Sequence, residues 1–311
     1  MKTKILITTN ILLIIINILT IYYKENIISY LLNNKNNPKV IEYQTISLND
    51  NKFINTKTDK IYDNEYEAQI LNKGDNEYYK IIDVNVANNK GWLVVVYDPS
   101  TVRIMKSHAF KTSDNSGKDN ILDMTKNYNA VIGVNGGGFY DDGKVSKDIP
   151  FGYIIENGKI IYQSHNHASD LIGISNDNKL MLIHATGQEA INQGMRDALE
   201  FGPFLIQDGK RNTNLKVTLA SRNIIAQRED GIFLFLITDG VNNRGLTFDD
   251  CIDFLLKYNV YNAANLDGGA STQLVVNNVL LNKPKNAYGI PIKNGRTVVN
   301  GWGVILPENQ K

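Results

Sequence analysis

Lys80-Ile81-Ile82-Asp83-Val84-Asn85-Val86 and Gly91-Trp92-Leu93-Val94-Val95-Val96-Tyr97 decide the fold class. Both runs are short, rich in β-branched and aromatic residues, and separated by turn residues, which is the pattern of neighbouring strands. The same pattern continues toward the C-terminus. In Ile154–Ile161 the pair Asn157-Gly158 predicts a hairpin, because both residues tolerate the positive φ angles of a type I′ turn.

Helical signals are few. One candidate runs from Gln188 to Leu199, and a clearer one opens at Thr247, whose hydroxyl can cap the helix with Asp250 three residues on. The second helix should bury one face, with Cys251 in the core rather than acting as a nucleophile. Three further dipeptides predict turns: Asp142-Gly143, Asp208-Gly209 and Asp230-Gly231. The sequence therefore predicts an α+β fold, with a substantial mixed or antiparallel β-sheet core, a few flanking helices and a single domain.

Composition removes several classes of protein. The 311 residues carry 33 basic and 32 acidic side chains, which gives a formal charge of +1. This charge is too small to attract the phosphates of a nucleic acid, so a nucleic acid partner is not expected. Hydrophobic residues make up 42% of the chain, which is typical of a packed globular protein. The single cysteine excludes an internal disulfide and a thiolate metal cluster.

The N-terminus predicts a membrane anchor. Residues 5–23 contain no charge and would extend roughly 28 Å as a helix, just enough to span a bilayer. Lys2 and Lys4 precede this run, which predicts a cytoplasmic N-terminus and an extracytoplasmic remainder. A cleaved signal peptide, giving a secreted protein, is the alternative, although no small-residue cleavage site closes the run. We therefore divide the chain into a single-pass anchor (1–23), an Asn/Lys-rich stalk or linker (24–75) and a globular domain (76–311).

Three segments place polar residues and glycines at the ends of apolar strands. The first, Asn135-Gly136-Gly137-Gly138, lets backbone N–H groups approach a ligand with no Cβ in the way. The second ends in Asp239-Gly240, and the third is Asp267-Gly268-Gly269-Ala270-Ser271-Thr272. A carboxylate at a strand end is exposed while its neighbours are desolvated, which suits acid–base chemistry. A tight turn is the simpler interpretation of an Asp-Gly pair, and Asp267 is the stronger candidate of the two.

Arginines and histidines add further candidates. Arg222 and Arg296 each lie in a polar turn just before an apolar run. A guanidinium can form two parallel hydrogen bonds with a phosphate or a carboxylate. His165 and His167 would share one side of a strand, but no third ligand is near, so we expect no metal site and no cofactor. A serine hydrolase elbow is not indicated, since the string beginning at Gly269 lacks the final glycine of G-x-S-x-G.

Taken together and in order, a set of motifs resembles the phosphodiester glycosidase family over roughly Trp92 to Leu306. The motifs are Val134-Asn135-Gly136-Gly137-Gly138-Phe139, Phe201-Gly202-Pro203-Phe204-Leu205, Ser221-Arg222-Asn223-Ile224-Ile225-Ala226-Gln227, Thr238-Asp239-Gly240, Ala264-Asn265-Leu266-Asp267-Gly268-Gly269-Ala270-Ser271-Thr272 and Arg296-Thr297. The chain departs from the family pattern at Asn223, where threonine is usual, at Ala226, where glycine is usual, and at Ala270, where a third glycine is often found.

The resemblance implies a catalytic domain that hydrolyses the bond between a sugar's anomeric carbon and a phosphodiester. We expect the substrate to be a glycosyl-phosphate-containing carbohydrate of the cell envelope or a secreted glycopolymer. The expected catalytic residues are Asp267 and Asp239, and the expected substrate-binding residues are Asn135, Gly136, Gly137, Arg222, Gly268, Gly269, Ser271, Thr272 and Arg296. The departures leave open an alternative, a non-catalytic carbohydrate-binding or exopolysaccharide-assembly module of the same fold.

Overall fold

The computed structural model describes residues 46–47, 53–54, 61–62, 64–73, 76–108, 119–141, 146–239, 245–286 and 288–307. The predicted anchor at residues 1–23 lies outside the described residues, as do the predicted turn at Asp142-Gly143 and the glycine that follows Asp239. Within the described part, no helix combines the length and the apolar character needed to cross a membrane.

Strands dominate the described chain. In chain order they are β1 (Ile46–Ser47), β2 (Phe53–Ile54), β3 (Ile61–Tyr62), β4 (Tyr79–Val86), β5 (Asn89–Val96), β6 (Val102–Lys106), β7 (Ile132–Asn135), β8 (Phe139–Asp141), β9 (Ser146–Pro150), β10 (Tyr153–Glu156), β11 (Lys159–Gln163), β12 (Ser169–Ser175), β13 (Leu180–Ala185), β14 (Met195–Glu200), β15 (Phe204–Gln207), β16 (Lys210–Arg211), β17 (Asn223–Arg228), β18 (Phe233–Thr238), β19 (Val260–Asn265), β20 (Leu274–Val276), β21 (Val279–Leu280) and β22 (Asn300–Val304). The α-helices are α1 (Glu65–Leu71), α2 (Ile121–Asn127), α3 (Gly187–Asn192) and α4 (Phe248–Leu256), and short 3₁₀ turns cover Pro99–Thr101 and Gly269–Ser271.

Three large sheets carry the fold. A seven-stranded sheet has the order β16-β15-β19-β17-β18-β5-β4, a five-stranded sheet the order β21-β20-β7-β22-β6, and a second five-stranded sheet the order β11-β10-β14-β12-β13. Smaller sheets are β1-β2-β3 and β8-β9. Every strand pair in the described residues is antiparallel. The predicted fold, mostly antiparallel with few helices in one domain, is confirmed.

The three large sheets enclose one hydrophobic core. Strand β5 shows how: Trp92, Val94 and Val96 belong to the shared core, whereas Leu93 and Val95 face the opposite side of the sheet. This alternation follows from the two-residue period of a strand. Because both faces of β5 are buried, its sequence is a nearly continuous apolar run.

A helix covers the outer face of each sheet. Helix α4 packs on the seven-stranded sheet, α2 on the sheet that contains β7, and α3 on the sheet that contains β14. The first helix, α1, lies within the stretch predicted as a stalk and is tied to the domain by a buried ion pair between Arg228 and Glu67. Ile70 of this helix is fully buried.

Helix α4 is the helix that the sequence predicted best. Thr247 and Asp250 form the expected capping box, and Cys251 lies in the buried face against the seven-stranded sheet. Burial raises the pKa of the Cys251 thiol to about 12, so the thiol is an inert core group.

The other predicted helix, from Gln188 to Leu199, is wrong over its second half. Helix α3 ends at Asn192, Gly194 takes a positive φ of 90°, and strand β14 follows. The glycine reverses the chain, and the residues after it pair with β10 and β12 rather than extending the helix.

The hairpin at Asn157-Gly158 forms as predicted, with φ values of 50° and 70° between β10 and β11. Asp208-Gly209 turns β15 into β16 with φ values of 51° and 72°. Local turn chemistry was therefore sufficient at these positions.

Because Cys251 is the only cysteine in the chain, its burial can be tested directly. We expect a thiol reagent such as iodoacetamide at pH 8 to label the unfolded chain quickly and the native protein at least about a hundredfold more slowly, since the buried thiol stays protonated. Mass spectrometry measures the labelling. Rapid labelling of the native protein would contradict the assignment of Cys251 to the core.

Candidate active site

The ends of strands from all three large sheets meet at the Gly136–Gly138 turn. Strand β7 ends at Asn135 directly before the turn, and β22 begins at Asn300 beside it. The Leu199 side chain of β14 reaches Gly136 and Gly137, while the backbone N–H of Asp267, just after β19, donates to the Gly136 carbonyl at 2.8 Å. Segments that are far apart in sequence are thus brought together here.

The side chain of Asn135 holds this junction together. It is fully buried, and its amide N–H donates to the Asp267 carbonyl at 2.7 Å. Its side-chain oxygen accepts from the backbone N–H of Gln273 at 2.9 Å and from the Asn223 amide at 3.0 Å. The Asn223 amide also donates to the Asn135 carbonyl at 2.7 Å. Asn135 therefore positions the segment that contains Asp267.

Asn223, one of the departures from the family pattern, is therefore part of the framework of the site. Its side chain is buried against Asn135, and its backbone carbonyl accepts from the Leu266 N–H at 2.8 Å. The asparagine side chain binds Asn135, and the backbone of the same residue holds Leu266, the residue before Asp267.

The glycine turn has a different role from the one expected. The N–H groups of Gly136 and Gly137 donate to the Asn300 backbone and side-chain oxygens at 3.0 and 2.8 Å, so these donors are already used inside the protein. A Cβ on Gly136 would lie 2.2 Å from the Asn300 side-chain oxygen, which explains the need for glycine. No motif marks Asn300; the one sequence signal is a polar residue at the start of an apolar strand.

Asp267 is partly buried at the end of β19. Its carboxylate accepts hydrogen bonds from the Ser271 side chain and the Gly268 N–H. Burial raises the pKa of Asp267 to about 6, and the two hydrogen bonds, which favour the ionised form, offset only part of this effect. A carboxylate that titrates near neutral pH is suited to exchange a proton with water.

Arg296 lies next to Ser271, the residue whose hydroxyl binds the Asp267 carboxylate. One guanidinium nitrogen lies 3.4 Å from the Ser271 hydroxyl oxygen, and the guanidinium carbon lies 4.9 Å from the centre of the Phe139 ring. Burial lowers the pKa of Arg296, which nevertheless remains a cation at any physiological pH. Asp267, Ser271 and Arg296 thus form one continuous polar cluster with Phe139 beneath the cation.

Arg222 is not brought to this cluster. Its side chain donates to the carbonyls of Leu246 and Thr218 and stacks 3.9 Å above the Phe248 ring, on the side of the sheet that packs on α4. This arginine clamps the loop around Thr218 to helix α4 and does not face the carboxylate of Asp267. The next residue, Asn223, takes the inward direction because side chains alternate along β17.

Asp239 lies in a separate set of contacts. Its carboxylate accepts from the Lys283 N–H at 3.2 Å and from the Asn282 side chain, and burial raises its pKa. The Asn282 amide also donates to the carbonyl of Thr272 at 2.8 Å. Asp239 thus supports the chain after the polar cluster.

Two other predicted residues complete the turn after Asp267. The N–H of Gly269 donates to the Ser221 carbonyl at 3.0 Å, whereas the buried hydroxyl of Thr272 makes no hydrogen bond with a described residue. The Thr272 hydroxyl is therefore a buried polar group beside Ser271 whose hydrogen-bonding capacity is unused within the described residues.

The histidine pair lies in the loop between β11 and β12 and not on a strand, so the predicted strand placement is wrong. His165 and His167 stack with ring centres 3.7 Å apart, and His165 contacts the Glu200 carboxylate at 3.0 Å, which also accepts from Ser169. Among the residues that the structure describes, no group of three or more His, Cys, Asp or Glu could hold a metal ion.

Comparisons with known proteins agree with these motifs. The family model for phosphodiester glycosidases matches residues 128–305, which is more than half of the chain and includes the whole polar cluster. The chain belongs to the phosphodiester glycosidase family. This assignment confirms the family predicted from the motifs.

Two curated relatives match parts of this chain. The SPbeta prophage-derived protein YomE of Bacillus subtilis (strain 168) is 26% identical over 182 residues, which are 54% of this chain and 27% of YomE. Bovine N-acetylglucosamine-1-phosphodiester alpha-N-acetylglucosaminidase is 35% identical over 69 residues, 22% of this chain and 13% of the bovine protein. The matched segments thus span about a quarter or less of these relatives.

Among solved structures, the zebrafish catalytic domain of N-acetylglucosamine-1-phosphodiester alpha-N-acetylglucosaminidase, auto-inhibited by its pro-peptide, superposes with a TM-score of 0.61 at 20% identity. The match covers 76% of this chain and 86% of that chain. At this identity the likeness establishes the shared fold.

The raised pKa of Asp267 predicts an effect on stability. A carboxyl whose pKa is higher in the native state than in the unfolded chain destabilises the native state increasingly as pH rises from about 4 through 6. Asp267→Asn should therefore raise the free energy of unfolding at pH 7.5 by about 1–3 kcal/mol, with the gain shrinking toward zero below pH 4.

Urea unfolding of both proteins at pH 7.5 and pH 4 measures this difference. Asp253→Asn, at an exposed carboxylate paired with Arg211, is the matched control and should show no such gain. If Asp267→Asn is less stable than the parent protein at pH 7.5, burial of the ionised Asp267 carboxylate does not destabilise the native state.

Proposed function

We propose that this chain hydrolyses the bond between the anomeric carbon of a sugar and a phosphodiester. The single observation that carries the proposal is the cluster in which a half-buried carboxylate with a raised pKa, Asp267, lies beside a hydroxyl and a guanidinium, Ser271 and Arg296. Family membership supports the reaction class. The bovine and zebrafish relatives named above act, by name, on N-acetylglucosamine-1-phosphodiesters, so this is the first substrate class to test.

The chemistry of the leaving group explains why one carboxylate is enough. Ordinary glycosidases need a second carboxylic acid to protonate an alkoxide. Here the C1–O bond breaks to release a phosphate monoester, whose second pKa is about 6, so it departs without an acid. Ionised Asp267 accepts a proton as water adds to the anomeric carbon, and this proton then passes to solvent.

Arg296 holds the phosphate in this scheme, and Ser271 links its guanidinium to Asp267. The guanidinium offers parallel N–H donors to two phosphate oxygens, and the charge on the phosphate increases as the bond breaks. Asp239, which holds the segment after the cluster, acts by positioning rather than by touching the sugar. Arg222 is assigned a structural role.

The proposal extends to the place of action. We infer that the substrate is a glycosyl phosphate of the cell envelope or of a secreted glycopolymer, reached by a domain outside the cytoplasm. The uncharged run at residues 5–23, with Lys2 and Lys4 before it, supports a single-pass anchor, and cleavage of that run would give a secreted enzyme instead. Fractionation of cells that produce a C-terminally tagged chain distinguishes the alternatives: an anchored protein is found in the membrane fraction and a secreted one in the medium.

Asp267→Asn tests the catalytic role. With UDP-N-acetylglucosamine and N-acetylglucosamine 1-(methyl phosphate) as substrates, we expect the parent protein to release free N-acetylglucosamine and the variant to lose about 10²–10⁴-fold in kcat, the usual contribution of a general base. Asp239→Asn should retain far more activity. Equal turnover by parent and Asp267→Asn would refute the role, while binding without any sugar release would favour the non-catalytic carbohydrate-binding alternative.

The pH dependence follows from the same group. Because Asp267 must be ionised to accept a proton, kcat/KM should rise tenfold per pH unit below about 6 and level off above it. Initial rates of sugar release between pH 4.5 and 8.5 measure the profile. A rate that falls as pH rises through 6 would instead identify Asp267 as an acid.

Removal of the guanidinium should affect phosphate binding. Arg296→Gln loses a charge-assisted pair, worth about 1.5–3 kcal/mol, so KM should rise roughly 10–100-fold. Arg211→Gln, at a surface arginine paired with Asp249 and Asp253, is the matched control and should leave KM unchanged. An unchanged KM in the Arg296→Gln protein would remove this residue from the phosphate site.

A further inference from the structure

An exposed aromatic pair lies beside the polar cluster and is not used by the mechanism above. The rings of Tyr140 and Phe151 have centres 4.7 Å apart at an interplanar angle of 73°, yet their residues are 48% and 40% exposed. Large aromatic side chains that remain in solvent at the rim of a site commonly serve recognition.

The glycine turn places this pair. A Cβ on Gly138 would lie 2.8 Å from both Phe151 and Phe201, so the two rings rest directly on the glycine. The Phe151 N–H also donates to the Gly138 carbonyl at 3.0 Å. The Phe151 ring, which packs against Tyr140, is therefore held on the same turn whose first residue accepts from the Asp267 N–H.

The pair is continuous with the proposed phosphate site. Phe139, between Gly138 and Tyr140, lies with its ring beneath the Arg296 guanidinium. The guanidinium reaches Ser271, which donates to Asp267. The chain from Gly136 to Tyr140 thus carries, in order, the contact with Asp267, the ring beneath the Arg296 cation and one ring of the exposed pair.

The substrate class proposed above needs such a surface. A glycosyl phosphodiester joins a charged phosphate to a pyranose, whose axial C–H groups form an apolar face. Binding sites for such molecules combine aromatic walls with a few placed polar groups. A protein partner would need an interface of roughly 1,000 Å² or more, which is far larger than two rings.

Resting on the proposed function, we propose that Tyr140 and Phe151 form a stacking platform for the sugar ring of the substrate, next to the phosphate held by Arg296. The platform makes these two residues determinants of sugar specificity. It predicts that removing the rings weakens binding of the sugar and leaves binding of the phosphate intact.

The experiment measures binding without turnover. In the Asp267→Asn background, Kd is determined by calorimetry for N-acetylglucosamine 1-phosphate, glucose 1-phosphate and inorganic phosphate. Tyr140→Ala and Phe151→Ala should each weaken binding of at least one sugar phosphate about three- to tenfold, the range expected from loss of one aromatic contact. Kd for inorganic phosphate should not change.

Two controls separate stacking from general damage. Tyr261→Ala removes a ring of similar exposure, 36%, about 13 Å along β19 from Asn265, and should change no Kd. Phe151→Trp keeps an aromatic face and should restore sugar binding. Saturation-transfer NMR should show transfer to the sugar C–H protons in the parent background and a reduced signal in the alanine variants.

The outcomes distinguish this inference from the proposed function. Parent protein that binds both sugar phosphates no more tightly than inorganic phosphate, or alanine variants that weaken all three ligands equally, would overturn the platform. Active enzyme with unchanged sugar binding in both alanine variants would overturn it while leaving the reaction in place. Sugar-selective binding that depends on the rings, in a chain that releases no sugar, would support the platform and refute hydrolysis.

Discussion

The buried side chain of Asn135 is the constraint on which the site depends. Its three side-chain hydrogen bonds join β7, β17 and the segments on either side of the turn after β19, so a strand end from one sheet is fixed to strand ends of another. An alanine at position 135 would leave the Gln273 N–H and the Asp267 carbonyl unpaired, each at a cost of about 1–3 kcal/mol, while the Asn223 amide would keep its bond to the backbone carbonyl of residue 135. Asp267 keeps its direction because these bonds act together with those of the Asp267 and Leu266 N–H groups.

This arrangement places the carboxylate of Asp267 where the ends of the three sheets meet. Three sheets share one interior and are each covered by a helix, so the meeting point of their ends is the place where backbone groups lack partners from the ladders. Asparagines 135, 223 and 300 satisfy these groups. The framework then holds Asp267 in a partly desolvated position, where its raised pKa both destabilises the native state and makes the group a useful base near neutral pH.

Local signals predicted local features well. The turns at Asn157-Gly158 and Asp208-Gly209, the cap at Thr247 and the buried face that includes Cys251 depend on neighbouring residues only, and all of these were predicted correctly. The helix predicted through Leu199 failed because pairing with β10 and β12 outweighed the local pattern beyond Gly194. The motif that holds Asp267 and Ser271 could be found for the same reason, since these two residues are close in sequence.

The sequence by itself determined the strand-rich fold class, the turns, the family and the aspartate at the end of a strand, because each is written in adjacent residues or in an ordered set of motifs. Only the tertiary structure decided that Arg296 reaches the Ser271 hydroxyl while Arg222 turns toward α4. It also decided that Asn300 uses the N–H groups of the glycine turn and that Tyr140 packs against Phe151. The physical reason is that a side chain's direction depends on the strand face it occupies and on the distant segments packed against it, which no local pattern contains.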